Sequence, residues 1–115
     1  MKKILGVGAA LVDMLIRVDD AWVKAVNAPK GGMTPVDFST LKNLLSGILA
    51  PTFVPGGSAC NTLVGVSRLG ARAAFLSKVG KDSLGNVFEN HLKDSGVESL
   101  LKVSKTATGS VLSAV

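Results

Sequence analysis

The sequence predicts an α/β layered fold, and three observations carry that prediction. Short runs of β-forming residues alternate with amphipathic stretches in the order strand, helix, strand, helix, strand, helix, strand. The amphipathic stretches begin and end on residues that start and stop helices. The chain has 115 residues, of which 47% are hydrophobic, enough to fill the core of one small domain or of a piece of a larger one.

Taken in order, Ile4 to Val7 is a short apolar run of β-formers. Ala10 to Val18 is a second extended segment, and it contains two charges, Asp13 and Arg17. Asp19 to Gly32 holds Pro29 and Gly31-Gly32 and reads as a connection with a helical turn around Ala21 to Val26. Thr34-Pro35-Val36-Asp37 predicts a helix start. Thr34 caps, Pro35 takes the first helical position, where its missing N–H costs nothing, and Asp37 sits where a capping-box acid belongs. Phe38, Leu41, Leu44, Leu45 and Ile48 follow at helical spacing until Pro51. Thr52 to Val54 is extended. The next helix runs from about Ser58 to Leu69, with Ala59, Leu63, Val66 and Leu69 as its buried stripe and Gly70 closing it. Ala73 to Val79 is a strand, Gly80 to Ser83 a turn, and Leu84 to Ser95 a helix with Leu84, Val87, Phe88 and Leu92 on one face. Val97 to Val103 and Thr108 to Val115 are extended, and the sequence ends inside that last apolar run, as a cut through a larger domain would.

Composition removes several function classes. No run approaches the roughly 20 consecutive apolar residues of a membrane-spanning helix. Gly6 and Gly8 interrupt the first segment too early for a secretory signal, so a cytoplasmic protein is expected. Cys60 is the one cysteine and cannot form an internal disulfide; with His91 as the one histidine there is no His/Cys cluster, and no metal site is expected. The formal charge of +5 comes from 13 scattered lysines and arginines beside four Phe and one Trp, which is not the footprint of a nucleic-acid-binding protein and suits an anionic small ligand equally well.

The stretch Pro55-Gly56-Gly57-Ser58-Ala59-Cys60-Asn61 sets a tight turn against a helix start. In open α/β sheets, ligands bind beyond the carboxyl ends of strands, where helix N-termini meet them. Gly56 and Gly57 let the backbone approach a ligand and leave N–H groups free, while Asn61 offers a donor and an acceptor from the first turn. Such a junction grips hydroxyls or an anion. The plainer alternative is a turn with Ser58 as N-cap and Asn61 polar on an exposed face. Asp13, between Ala10-Leu11-Val12 and Met14-Leu15-Ile16, lies either at the ligand-facing rim of a sheet or beside a partner, because an unpaired buried carboxylate is very costly. As a ligand-binding group it accepts from two neighbouring hydroxyls, each charged hydrogen bond being worth about 1.5 to 3 kcal/mol. As a structural group it pairs with a lysine or arginine. Two phosphate motifs fail: Gly65 to Gly70 has P-loop spacing but is followed by Ala71-Arg72, and Gly6-Val7-Gly8 opens a dinucleotide fingerprint whose third glycine position is Leu11.

These segments together resemble a known family. Asp13 after a Gly-containing first strand, Gly56-Gly57-Ser58-Ala59-Cys60-Asn61-Thr62, Arg68-Leu69-Gly70-Ala71, Val79-Gly80-Lys81-Asp82-Ser83-Leu84-Gly85, and Thr108-Gly109 before an apolar strand are similar to the N-terminal signature of ribokinase-like (PfkB-type) sugar and nucleoside kinases. Lys30-Gly31-Gly32-Met33 and the helix after Pro35 look most like the bacterial adenosine-kinase and sugar-kinase members. The resemblance implies a three-layer Rossmann-like, ribokinase-type fold. Residues 1–115 would be its N-terminal, acceptor-binding part, with a small β-sheet lid drawn from strands within residues 14–18, 31–36, 52–56 and 108–115. It implies transfer of the γ-phosphoryl group of ATP, with Mg2+, to a primary hydroxyl of a sugar or nucleoside, and it implies that Asp13, Gly56, Gly57 and Asn61 hold the acceptor. Asp82 and Gly85 match a family landmark and are read as turn and helix-cap residues.

The family's catalytic base, an aspartate in a Gly-Ala-Gly-Asp type motif, and its ATP site belong to a C-terminal half that has no counterpart in this sequence. The isolated chain is therefore expected to lack kinase activity and to expose an unpaired sheet edge. No nucleic-acid or membrane partner is expected, and the resemblance allows a homodimer through the lid. The alternative reading is a non-catalytic α/β module binding a small molecule or nucleotide. A nicotinamide-dependent oxidoreductase ranks third, because Leu11 breaks its fingerprint.

Overall fold

The computed structural model describes residues 2–48 and 50–115. In chain order the elements are β1 (Lys3–Val7), β2 (Leu11–Ile16), α1 (Asp20–Ala25), α2 (Phe38–Leu45), β3 (Thr52–Gly56), α3 (Ser58–Arg68), β4 (Arg72–Gly80), α4 (Ser83–Asp94), β5 (Val97–Ser104) and β6 (Gly109–Ala114). They build two sheets of three strands. In the larger, β4 lies between β1 and β5 and all three run parallel. In the smaller, β2 is central, antiparallel to β3 and parallel to β6.

The core lies where α3 and α4 pack on the larger sheet. Phe75, Phe88, Leu92, Val12 and Cys60 are fully buried there, and the rings of Phe75 and Phe88 lie 5.8 Å apart at 39°. Ala10 and Val12 belong to the same cluster, so the smaller sheet is keyed into the core through the start of β2. Close approach of α3 to β1 explains the two early glycines. A Cβ on Gly6 would come 2.5 Å from Leu63 Cδ1, and one on Gly8 would come 2.7 Å from the Ala59 Cβ. The outer strands leave apolar side chains uncovered: Ile4, Leu5 and Val7 on β1, Leu100 and Val103 on β5.

Three elements differ from the sequence reading. The helix after Pro35 starts three residues later than expected, because Asp37 rather than Thr34 is its N-cap, its carboxylate accepting from Thr40 N (2.8 Å) and Ser39 Oγ (3.1 Å). A carboxylate both bonds the free amides and complements the helix dipole, so Asp37 wins over a threonine. Its expected stripe shrinks accordingly: Leu41 is buried, while Phe38 points into solvent. Residues 31–36 form no strand, although a lid strand was expected among them. Finally, α3 buries Cys60, Leu63 and Val64, with Ala59 and Val66 partly covered, whereas Leu69 is 90% exposed. Leu69 is the C-cap residue, where the chain leaves the helix and its side chain leaves the stripe. Leu69→Ser is therefore expected to change stability by less than about 0.5 kcal/mol. An unchanged urea midpoint would agree, and a large loss would mean that the side chain is covered in solution.

Candidate functional site

The β2–β3 pairing builds the site. Leu11 pairs with Gly56 and Asp13 with Val54, which carries the Asp13 side chain toward the end of β3. A Cβ on Gly56 would sit 3.3 Å from Asp13 Oδ2, so the carboxylate lies against the bare Cα of that glycine. On its other side Asp13 pairs with Val111 of β6. It is half-buried at the centre of a strand whose alternate residues Val12, Met14 and Ile16 point inward. Arg17, the second charge of the predicted strand, lies past its end and is exposed.

Gly57 turns the chain from β3 into α3 with φ 95° and ψ 140°, a conformation open to glycine and strained for other residues. It is the N-cap of α3 and supplies no side-chain cap, so Ser58 does not take the capping role that the plainer alternative gave it. The amides of the first helical turn are thus left without a carbonyl or side-chain partner from the helix itself. Asn61 N donates to Gly57 O at 3.0 Å, closing that turn, and the Asn61 side chain is exposed. A Cβ on Gly57 would also come 2.9 Å from Ala9 O. Gly57→Ala is expected to cost on the order of 1 to 3 kcal/mol, measurable as a lowered urea midpoint; a neutral substitution would show that the turn relaxes.

Among the described residues, neither the Asp13 nor the Asn61 side chain makes a hydrogen bond or an ion pair. The aspartates whose carboxylates accept hydrogen bonds among the described residues are Asp19, Asp20, Asp37 and Asp82. The ion pairs among them are Lys3–Glu98 and Lys30–Asp20, both exposed. Asp13 is in neither set, so the alternative of a surface salt bridge is not what the structure holds. Cys60 lies next to the turn but is fully buried, and burial pushes its thiol above the ordinary value, which leaves a packed side chain rather than an activated nucleophile. Among the described residues no group of three His, Cys, Asp or Glu is placed to hold a metal ion.

A second polar cluster was not foreseen in full. Asp82 caps α4, as its place after Gly80-Lys81 suggested, accepting from Gly85 N at 2.8 Å. It also accepts from Thr108 Oγ1 at 2.6 Å on Oδ1 and from Thr108 N at 2.9 Å on Oδ2, while Thr108 Oγ1 accepts from Gly80 N at 2.9 Å. Nothing local to either residue signals a bond across 26 residues of chain. Partial burial raises the Asp82 pKa, but the Thr108 hydroxyl, the Thr108 N–H and the Gly85 N–H together outweigh it and hold the carboxyl below its ordinary value. A carboxyl depressed in the folded state contributes stability above its unfolded-state pKa, and that contribution is lost as the pH falls through the folded-state pKa. Unfolding midpoints taken from neutral pH down through the carboxylate range should fall more steeply for the wild type than for Asp82→Asn. Parallel curves would contradict the cluster.

Several known proteins are similar to this chain in fold or sequence. The adenosine kinase of Sinorhizobium meliloti superposes with a TM-score of 0.83 at 31% identity, over 98% of this chain and 35% of its own. A probable sugar kinase of Rhizobium etli gives a TM-score of 0.73 at 28% identity, over 97% of this chain and 35% of its own. In sequence, 66 residues are 42% identical to the probable fructokinase-6, chloroplastic, of Arabidopsis thaliana, which is 56% of this chain and 17% of that protein. The chain thus has a ribokinase-like α/β fold and spans about a third of its solved relatives and less of its curated ones. Residues 36–115, which hold the Gly56–Gly57 turn, α3, α4 and the Asp82–Thr108 cluster, match the pfkB family carbohydrate kinase profile, and the chain belongs to that family.

Proposed function

We propose that this chain supplies the acceptor-binding face and part of the lid of a kinase that transfers the γ-phosphoryl group of ATP to a primary hydroxyl of a sugar or nucleoside. The single observation that carries the proposal is the Asp13 carboxylate, unpaired among the described residues and lying against Gly56 beside the positive-φ Gly57 turn. Asp13 accepts from two neighbouring hydroxyls, Gly56 and Gly57 let the ligand approach the backbone, and the Asn61 amide donates to or accepts from a third polar group. Their task is to fix the acceptor, because phosphoryl transfer depends chiefly on alignment and charge stabilisation. The small sheet β3-β2-β6 is the lid surface over that acceptor, and its free edge at β3 offers a place for a second copy to pair.

ATP and Mg2+ are what the family implies for the transfer. The described residues do not fit either: no acidic cluster is placed for the cation, and no glycine-rich loop ending in Lys-Ser or Lys-Thr cradles phosphates. The 115 residues alone are accordingly expected to bind acceptor without turning over ATP, and acceptor-dependent ADP formation would overturn that. Among the described residues no helix is long and apolar enough to cross a membrane. We place the protein in the cytoplasm.

Calorimetric titration of the chain with adenosine and with D-fructose, the substrates named by its relatives, tests the reading. We expect one of them to bind and Asp13→Ala to weaken it. Binding of neither, or binding that ignores Asp13, would sink the proposal and leave the non-catalytic module in its place.

A further inference from the structure

Among the described residues the two sheets share no strand ladder, so side chains must fix how the smaller one sits on the larger, Ala10 and Val12 in the core being one such contact. We propose that Asp82 is a positioning residue for the acceptor-binding face: it pins Thr108, Thr108 sets where β6 begins, and β6 holds the strand that carries Asp13. The inference rests on the reading of Asp13 given above.

Four hydrogen bonds converge on the part-buried Asp82 and the buried Thr108, joining the end of β4 (Gly80 N), the start of α4 (Gly85 N) and the start of β6 (the Thr108 N–H and hydroxyl). Thr108 is 3% exposed, while Lys105 to Ala107 just before it are exposed. The surrounding sequence is shaped to this convergence. A Cβ on Gly80 would come 2.6 Å from Asp82 Oδ2 and from Thr106 O, and one on Gly85 would come 2.5 Å from Gly80 O. Side chains at either position would force the three backbones apart.

Helix capping alone needs none of this. Asp19 and Asp37 cap α1 and α2 with one carboxylate oxygen each on a nearby amide, Trp22 N at 2.9 Å and Thr40 N at 2.8 Å, and neither reaches a distant segment. Asp82 uses both oxygens on Thr108 in addition to its cap. From Thr108 the path to the site is short. Gly109 pairs with Leu11 and Val111 pairs with Asp13 in the parallel β6–β2 ladder. A strand that slips by one residue turns its own side chains to the opposite face, so the point where β6 starts decides which β6 residues flank Asp13 and whether the ladder beside it closes.

Two variants of the 115-residue chain separate the roles. Thr108→Val is nearly isosteric, removes the hydroxyl and leaves Asp82 free to cap α4. Asp82→Ser keeps a capping oxygen but is too short for Thr108. Amide hydrogen exchange read by NMR should show β2 and β6 losing about tenfold or more of their protection in both variants, with Ala73 to Val79 changing by less than about twofold. Thr108→Ser should restore the protection. In the acceptor titration, Thr108→Val should raise Kd by about tenfold and Thr108→Ser should not. Equal loss of protection in both sheets, or none in the smaller, would overturn the proposal and leave Asp82 a cap. Selective loosening with unchanged affinity, while Asp13→Ala still abolishes binding, would overturn the positioning role and spare the acceptor site. Loosening accompanied by binding that ignores Asp13 would instead refute the reading of that residue, and with it the positioning role.

Discussion

Asp13→Ala is expected to weaken acceptor binding by about tenfold to more than a hundredfold, because the loss of charged hydrogen bonds worth about 1.5 to 3 kcal/mol is read at tenfold per 1.4 kcal/mol. The same substitution should leave the fold almost unmoved. Among the described residues no hydrogen bond or ion pair rests on this carboxylate, and its strand is held by the main-chain ladders to β3 and β6. Removing a half-buried charge with no partner among the described residues breaks no bond there, so stability should stay level or rise. That split is the signature of a residue kept for a ligand. Calorimetry and urea unfolding on the same two proteins measure both halves. A variant that unfolds early while binding as before would assign Asp13 to the scaffold instead. Asp13→Asn should fall between, since the amide keeps one acceptor oxygen and loses the charge.

The second large effect is on the scaffold. Phe88→Ala is expected to destabilise the chain by about 3 to 5 kcal/mol. Phe88 is fully buried on α4, and its ring meets Phe75 of the central strand β4 at 5.8 Å. The loss combines the transfer of the ring, the cavity left among Leu92, Val97 and their neighbours, and the aromatic contact, itself about 0.5 to 1.5 kcal/mol. For a small domain with roughly 5 to 15 kcal/mol of stability, that is a large share. Phe88→Leu, which keeps most of the volume, should cost less than about 1.5 kcal/mol. Urea midpoints for the pair settle the matter: similar losses for the two would mean that the core is not organised around the ring contact.

What could be read in the sequence follows from how local each signal is. The segment of Asp13, the Gly56-Gly57 turn, α3 and the cap at Asp82 were legible because a turn, a cap or an apolar run is written within a few neighbouring residues. Three readings erred, one of them the lid strand expected within residues 31–36, where no strand forms. Thr34 against Asp37 was a contest between two adjacent capping signals, decided by the stronger acceptor. Leu69 kept the helical spacing one position past the last helical residue, where spacing no longer determines direction. The small sheet was expected only through the family resemblance, and neither its strand pairings nor the bond from Asp82 to Thr108 could be read from local pattern. They join residues far apart along the chain, and no local pattern encodes the partner. Asp13 sat between these cases. Its segment was readable, but that it would meet Gly56 and no counter-charge needed the register of β2 on β3.

The parallel ladder that sets Leu11 beside Gly109 has a kinetic meaning as well. Pairing of distant segments must wait for the entropy of closing the intervening loop, so such contacts form late and slow the overall rate. On the ribosome, β2 emerges well before its β6 neighbour, with α1 through β5 made between them. Until then β2 has only β3 beside it, a lone antiparallel pair that is marginal in water. The nascent protein would therefore make the strands of its β1-β4-β5 layer before its small sheet closes, with one flank of Asp13's strand unzipped until β6 emerges.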